Sequence, residues 1–140
     1  MNIIKRLAKR SLSILAVLSL LLMMSSCDRY TSSYNAIGLV RMQDSHSCEV
    51  SFYSLNGQIV FKLKKSDLGT EGDISYSLSV DEGEVRLYYD AYGTKEELSH
   101  VKNGESEESS GGYVEGGNTV YIIIEAADAS NGKIAVELDN

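Results

Sequence analysis

Few residues of this chain have the type and spacing that enzyme or metal chemistry needs. The 140-residue sequence holds two cysteines and two histidines, which are too few for a zinc site. Cys48 alternates with Val50 and Phe52, as on a half-buried strand, and is expected to point into a core as a small hydrophobic residue. His46 lies two residues before Cys48, and that spacing shows no supported catalytic base. We expect no catalytic residue and no cofactor.

The 20 acidic residues offer two further kinds of chemistry. Some lie near predicted turns, where carboxylate oxygens could hold calcium, and the candidate ligands are Asp81, Glu82 and Asp90. Two carboxylates facing each other across a cleft could hydrolyse a glycosidic bond, but nothing in the sequence places a pair in that way. Because acidic turns are usually solvated, the sequence favours neither a resident metal nor a hydrolase.

The chain has nine tyrosines and no tryptophan. Tyr53, Tyr88 and Tyr121 fall opposite the main apolar phase of their predicted strands. If exposed, these three side chains would form a surface for ligand contact, with a protein or with the rings of sugars, since tyrosine is favoured at interfaces. The alternative is that they cover the second face of a sheet.

The first 26 residues have the character of a secretory signal. Residues 1–10 carry four basic side chains and no acid, and the run from Leu12 to Met24 is apolar apart from two serines. That run is shorter than the roughly 20 residues that cross a membrane. Because the basic cluster stays in the cytoplasm, the rest of the chain is expected to be exported.

The leader closes on Met24-Ser25-Ser26-Cys27. An apolar residue, two small residues and then a cysteine resemble the lipobox of bacterial lipoproteins. The resemblance implies transfer of a diacylglyceryl group to the Cys27 sulfur, cleavage before Cys27 and further acylation, for example with palmitate. Two or more chains on one residue suffice for stable anchoring, so we expect a protein held at the cell membrane, on its extracytoplasmic face. An ordinary signal peptide cut nearby, or an uncleaved anchor, is the alternative.

The chain that would remain after cleavage is strongly acidic. Without the leader it keeps nine basic and 20 acidic residues, a formal net charge of −11. Nucleic-acid binding relies on Lys and Arg against phosphates, so we expect no nucleic-acid partner. The charge is typical of a soluble surface and would also attract cationic partners.

The domains divide as a signal peptide over residues 1–26, a lipidated cysteine with a short tether over 27–35, and one domain over 36–140. Alternating apolar residues in the domain predict seven or eight strands and no helix. The strands are expected over residues 36–43, 47–54, 58–64, 73–80, 84–90, 94–101, 118–126 and 133–138. This pattern predicts an all-β protein, a single antiparallel β-sandwich or jelly roll.

Turn residues set the expected connections between these strands. Asn56-Gly57 and Ser130-Asn131-Gly132 are predicted to be the turns of two hairpins, because Asn-Gly tolerates the required positive φ. Residues 103–112 hold no larger apolar side chain, and we expect a mobile loop there. Residues 119–126 are apolar on both faces, which predicts a central strand covered on both sides or one that meets an interface.

Three stretches of the domain also resemble the pre-peptidase C-terminal type of β-sandwich, which is appended to secreted bacterial proteins. They are Gly83-Glu84-Val85-Arg86-Leu87-Tyr88, Gly116-Gly117-Asn118-Thr119-Val120-Tyr121-Ile122 and Asn131-Gly132-Lys133-Ile134-Ala135-Val136. Glu84 and Arg86 stand where that family has aspartates, so a calcium or ligand role does not carry over. The resemblance implies a fold rather than a function.

These observations predict a lipid-anchored extracytoplasmic protein whose non-catalytic sandwich contacts an envelope component or a partner protein. The alternative is a carbohydrate-binding module presented at the cell surface. The expected partners are the membrane, through the lipid on Cys27, and a protein or a glycan.

Overall fold

The computed structural model describes residues 29–64 and 72–139, and these residues form strands and their connections without a helix. No helix in these two ranges is long and apolar enough to cross a membrane. The strands are β1 (Ser33–Ile37), β2 (Val40–Gln43), β3 (Ser47–Lys64), β4 (Gly72–Ser79), β5 (Glu82–Asp90), β6 (Glu96–Lys102), β7 (Ser106–Val114) and β8 (Thr119–Leu138).

Two long strands, β3 and β8, organise the fold. They pair antiparallel along their whole length, from Ser47 opposite Glu137 to Lys64 opposite Thr119. Both bend near the middle, so each contributes one half to each of two layers. The eight strands form one continuous sheet, and its two layers, which we call sheet I and sheet II, have the orders β1-β3-β8-β5-β6 and β2-β3-β8-β4-β7. Every pairing is antiparallel, which confirms the predicted all-β sandwich.

The two predicted hairpin turns are wrong, because both sequences lie inside the long strands. Gly57 sits where the β3–β8 register shifts between Leu55 and Gly57, with φ at +123°. A Cβ atom at Gly57 would lie 2.4 Å from the carbonyl oxygen of Ser33, so the crossing of β1 leaves room for glycine only. In β8 the matching bend has Asp128 and Asn131 at φ of 46° and 47°. Residues that favour turns therefore form β-bulges here, and the bulges bend each strand without ending it.

The expected mobile loop at residues 103–112 is also wrong over most of its length. Residues 106–114 form β7, which pairs with β4 from Ser79 opposite Ser106 to Gly72 opposite Val114. An edge strand needs backbone hydrogen bonds on one side only, and it does not need apolar side chains to make them. The polar side chains of this segment are therefore exposed to solvent, but its backbone still forms a strand.

The core lies between the inner faces of the two sheets. The alternating apolar residues predicted to face inward are buried, and those of β3 and β8 are Cys48, Val50, Phe52, Ile59, Phe61, Leu63, Val120, Ile122, Ile124, Ile134, Val136 and Leu138. Burial raises the pKa of the Cys48 thiol to about 12. Cys48 is thus a small core residue, as predicted, and is protonated at neutral pH.

Side chains close the sandwich where β1 ends its pairing and leaves the second half of β3 uncovered. The backbone N–H of Val60 donates to the Ser32 hydroxyl at 2.9 Å, and Gln43 donates to the carbonyl of Lys62 at 2.9 Å. The Arg41 guanidinium lies 4.7 Å from the centre of the Phe61 ring. Arg41 and Gln43 of β2 therefore point towards sheet I, and the intervening side chains Val40 and Met42 point to the outer surface.

Candidate functional site

The structure does not bring the three candidate tyrosines into one row. Tyr53 is 70% exposed and lies before the bend of β3. Tyr121 pairs with Lys62, which lies nine residues further along β3, beyond the bend. Tyr88 and Tyr121 share the outer face of sheet I, because Tyr88 pairs with Ile123 and Asp90 with Tyr121. Only these two belong to one surface.

Tyr88 and Tyr121 are half-buried and already have protein neighbours. The Lys95 ammonium lies 4.1 Å from the centre of the Tyr88 ring and is ion-paired with Glu125. Tyr30 packs edge-on against Tyr121, with ring centres 5.3 Å apart. Ile123, on the same face, is fully buried although it lies outside the main core. This face confirms that β8 is a central strand covered on both sides.

The cover of this face is an N-terminal clasp, formed by Arg29, Tyr30, Asp90 and Gly93. The Tyr30 hydroxyl donates to Asp90 Oδ2 at 2.7 Å, and the Gly93 N–H donates to Asp90 Oδ1 at 2.7 Å. Arg29 donates to the Gly93 carbonyl and lies 3.7 Å from the Asp90 carboxylate. Residues 29 and 30, predicted to be part of a tether, are therefore attached to the domain.

The clasp shifts two pKa values in opposite directions. The hydrogen bond to Asp90 raises the pKa of Tyr30, so its hydroxyl keeps its proton. Burial alone would raise the pKa of Asp90, but the hydrogen bonds from Tyr30 and Gly93 and the charge of Arg29 outweigh it and lower that pKa. Asp90 is therefore a buried carboxylate satisfied by the chain itself.

The three calcium candidates are not gathered at one place. Asp81 and Glu82 are exposed where β5 begins, and Asp90 lies at the other end of β5 with both oxygens occupied by the clasp. Within residues 29–64 and 72–139, no three histidine, cysteine, aspartate or glutamate side chains are grouped so as to hold a metal ion.

The exposed edge of the sandwich carries an apolar surface that we call the edge patch. It consists of Ile37, Val40, Met42 and Tyr53, which are 68%, 52%, 55% and 70% exposed. Val40 pairs with Ser51, so it is a diagonal neighbour of Tyr53 on the same face. The Tyr53 ring rests on Gly38, where an added Cβ would meet it at 2.1 Å. Val40, Met42 and Tyr53 thus share one face of the outer surface, whereas Ile37 pairs with Ser54 and is in the other phase of β3.

The strands β1 and β2, which carry Ile37, Val40 and Met42, lie at the sheet edges, whereas Tyr53 belongs to the inner strand β3. Within the described part of the chain, β1 and β2 each pair with β3 on one side and with no strand on the other. Alternate N–H and C=O groups of β2 therefore point outward beside Val40 and Met42. An edge of this kind can accept a further strand from another chain.

A polar groove adjoins the edge patch on the outer face of sheet II. Its volume is about 800 Å³, and its walls include Met42, Glu49, Ser75, Ser77 and Glu137. Glu49 is ion-paired with Lys133 at 3.3 Å. Serine side chains form much of its floor, so the groove is polar rather than apolar.

A second pair of aromatic side chains was not singled out by the sequence. Tyr92 and Tyr113 stack with ring centres 6.4 Å apart and planes 25° apart, and they are 56% and 43% exposed. The Tyr92 hydroxyl accepts the N–H of Glu115 at 2.9 Å. They follow β5 and close β7, and only the fold brings them together. In the sequence, each of these tyrosines adjoins a glycine, Gly93 or Gly112. Both glycines have positive φ in the structure, so both tyrosines lie where the backbone changes direction.

Comparisons with known proteins give only remote likeness. No protein-family model and no curated protein sequence matches the chain. Among solved structures, TmCBM61 in complex with β-1,4-galactotriose has a TM-score of 0.44 and 10% identity, over 76% of this chain and 83% of that one.

Two further solved structures show a similar degree of likeness. Drosophila melanogaster CENP-C bound to CAL1 has a TM-score of 0.36 and 17% identity, over 79% and 84% of the two chains. A family 29 carbohydrate-binding module complexed with mannohexaose has a TM-score of 0.35 and 10% identity, over 77% and 89%. What those proteins bind is a property of those proteins alone.

Proposed function

We propose that this protein is an extracytoplasmic lipoprotein whose non-catalytic β-sandwich binds a protein of the cell envelope through the edge patch. The anchor rests on the sequence, where a basic and apolar leader ends on the lipobox-like residues before Cys27. The binding surface rests on one observation: Val40 and Met42 of the edge strand β2 and Tyr53 of the neighbouring β3 are exposed on one face.

The physical argument for a protein partner is that the edge patch combines two favourable terms. Apolar area removed from water contributes roughly 25 cal/mol per Å², and tyrosine and methionine are enriched in interfaces. The outward backbone groups of β2 can add hydrogen bonds to an extended segment, while alternate side chains of that segment meet Val40 and Met42. The partner is therefore expected to present an extended segment with apolar residues at every second position.

The second candidate is glycan binding in the polar groove. Its hydroxyl and carboxylate groups could accept and donate hydrogen bonds to a sugar chain, and Met42 joins the groove to the edge patch. However, none of the candidate tyrosines Tyr53, Tyr88 and Tyr121 lines the groove. The protein partner is therefore favoured, and a glycan array with the same protein tests the alternative.

The test is site-specific photo-crosslinking in living cells. A photoreactive residue replaces Met42 in the edge patch and, as a matched control, Ser106, which is exposed on the opposite edge strand β7. We expect a discrete adduct from position 42 only, and its loss when Val40→Asp places a charge in the patch. Equal adducts from both positions, no adduct, or an adduct indifferent to Val40→Asp would contradict the proposal.

A further inference from the structure

The edge strand β2 carries a charged side chain, Arg41, between two apolar residues of the edge patch. Val40 and Met42 point to the outer surface, whereas Arg41 points towards the Phe61 ring of sheet I. Side chains also alternate in any strand that is added beside β2, and residues directly opposite each other share a face. The residue between two apolar residues of an added segment therefore meets the Arg41 side chain.

The Arg41 guanidinium is held in place by the protein, but it has no carboxylate partner among the described residues. It lies 4.7 Å from the centre of the Phe61 ring and donates to the Tyr34 hydroxyl and the Val60 carbonyl, both at 3.4 Å. Hydrogen bonds from arginine to a carboxylate are shorter, about 2.7–2.9 Å, and a guanidinium has several N–H donors. Arg41 is therefore positioned by its neighbours and keeps donors for a ligand.

The acidic side chains of sheet II do not serve Arg41. Asp44 Oδ1 accepts two backbone N–H groups of the connection to β3, at 2.9 and 2.8 Å. Glu49 is ion-paired with Lys133 on the outer face, and Glu137 is exposed on that face as well. These outer carboxylates repel an acidic side chain that lies on the outer face of an added strand. A partner carboxylate is therefore favoured on the face of Arg41 and disfavoured on the face of Val40 and Met42.

Arg41 also disfavours the pairing of two copies of this edge. When two β2 strands pair antiparallel about a two-fold axis with Val40 opposite Met42, Arg41 of one copy lies opposite Arg41 of the other. Like charges directly opposite each other destabilise a sheet, and charged residues that point inward protect sheet edges from pairing with themselves. The β2 edge thus fits an acidic segment better than a second copy of this chain.

We propose that Arg41 selects a partner polypeptide segment in which an acidic residue lies between two apolar residues, and that this segment adds to β2. The carboxylate pairs with the guanidinium, while the two apolar side chains meet Val40 and Met42. This inference rests on the proposed function of the edge patch and names the chemistry of its protein partner.

The experiment uses short synthetic peptides that differ only at their central residue. That residue lies between two valines, and it is glutamate, glutamine or lysine. Binding to the protein is followed by NMR through the isotope-labelled methyl group of Met42, which belongs to the edge patch and is 55% exposed. The signal is assigned by its absence in Met42→Leu.

The glutamate peptide should bind about fivefold more tightly than the lysine peptide, because opposite charges across a strand pair are favourable and like charges are unfavourable. Arg41→Glu should reverse this order of affinities. The matched control Lys102→Glu makes the same change of charge on the exposed edge strand β6, and it should leave the order unchanged. Arg41→Gln, which keeps a polar side chain, should bring the affinities to within about twofold of one another.

The possible failures are distinguishable. A Met42 signal that responds equally to the three peptides, or an order that Lys102→Glu reverses as Arg41→Glu does, would overturn selection by Arg41 and leave the edge patch in place. A Met42 signal that responds to no peptide would overturn the proposed function and this inference together. A dimer of the parent protein that is lost in Val40→Asp would assign the edge to a second copy and contradict the acidic segment.

Discussion

Loss of the Tyr30 hydroxyl should measurably destabilise the domain. Tyr30→Phe keeps the ring against Tyr121 but removes the 2.7 Å hydrogen bond to Asp90, whose side chain is only 2% exposed. Hydrogen bonds to charged groups contribute about 1.5–3 kcal/mol. Because Gly93 and Arg29 continue to hold Asp90, we expect a loss near the lower limit, about 1.5–2 kcal/mol.

The assay is urea unfolding of the domain, followed by circular dichroism. With a urea m-value of about 1–3 kcal/mol/M, the midpoint should fall by roughly 1 M. The control is Tyr34→Phe, since the exposed Tyr34 hydroxyl accepts only a long 3.4 Å hydrogen bond from Arg41, and it should change stability by less than about 0.5 kcal/mol. Equal midpoints for Tyr30→Phe and the parent protein would refute the role of the clasp.

The pH dependence of this effect has a definite sign. The folded-state pKa of Asp90 is lowered, so its carboxylate contributes stability above its unfolded pKa, about 3.9, and loses that contribution as the pH falls through the folded value. The difference between the parent protein and Tyr30→Phe should therefore be full at neutral pH and shrink below about pH 4. A difference that grows on acidification would contradict the assignment of Asp90 as the ionised partner.

Two further predictions concern the core. Gly132→Ala should lower the free energy of unfolding in urea by about 1–3 kcal/mol, because the new Cβ would lie 2.2 Å from the Phe52 ring. Gly111→Ala is the matched control and should be nearly neutral, because the atom closest to its new Cβ is 3.8 Å away on Leu98. The Cys48 thiol should not react with a disulfide reagent at pH 8 until urea unfolds the domain, because its raised pKa keeps it protonated and its burial blocks access. Fast reaction of the native protein would contradict this prediction.

The sequence predicts the fold class because strand periodicity is local. The alternation of Cys48, Val50 and Phe52, and that of Ile74, Tyr76 and Leu78, places each strand and its buried face, and the structure confirms both runs. Because alternation depends only on strand geometry and burial, it can be recognised in the sequence without knowing which strands pair.

Connectivity could not be predicted, since glycine-containing turns and bulges share the same sequences. Asn56-Gly57 supplies positive φ for a tight turn, and it also supplies the bulge that bends β3 without reversing the chain. A bulge forms here instead of a turn because β8 pairs with β3 on both sides of the bend. That pairing joins residues far apart in the sequence and leaves no local signal.

The candidate surfaces were predictable only in part. Exposure of Tyr53 follows from strand phase. The partial burial of Tyr88 depends on Lys95, beyond the end of β5, and that of Tyr121 depends on Tyr30 from the distant N-terminal part of the chain. The outward direction of Val40 and Met42 depends on Arg41 and Gln43 reaching sheet I. Long-range contacts therefore decide which apolar side chains are available to a partner.

Mass spectrometry of the N-terminal peptide of the protein from native membranes tests the proposed anchor most directly. We predict a chain that begins at Cys27, with a diacylglyceryl group on its sulfur and a mass that includes the acyl chains. A peptide in which an unmodified Cys27 is still joined to residues 1–26 would contradict the account.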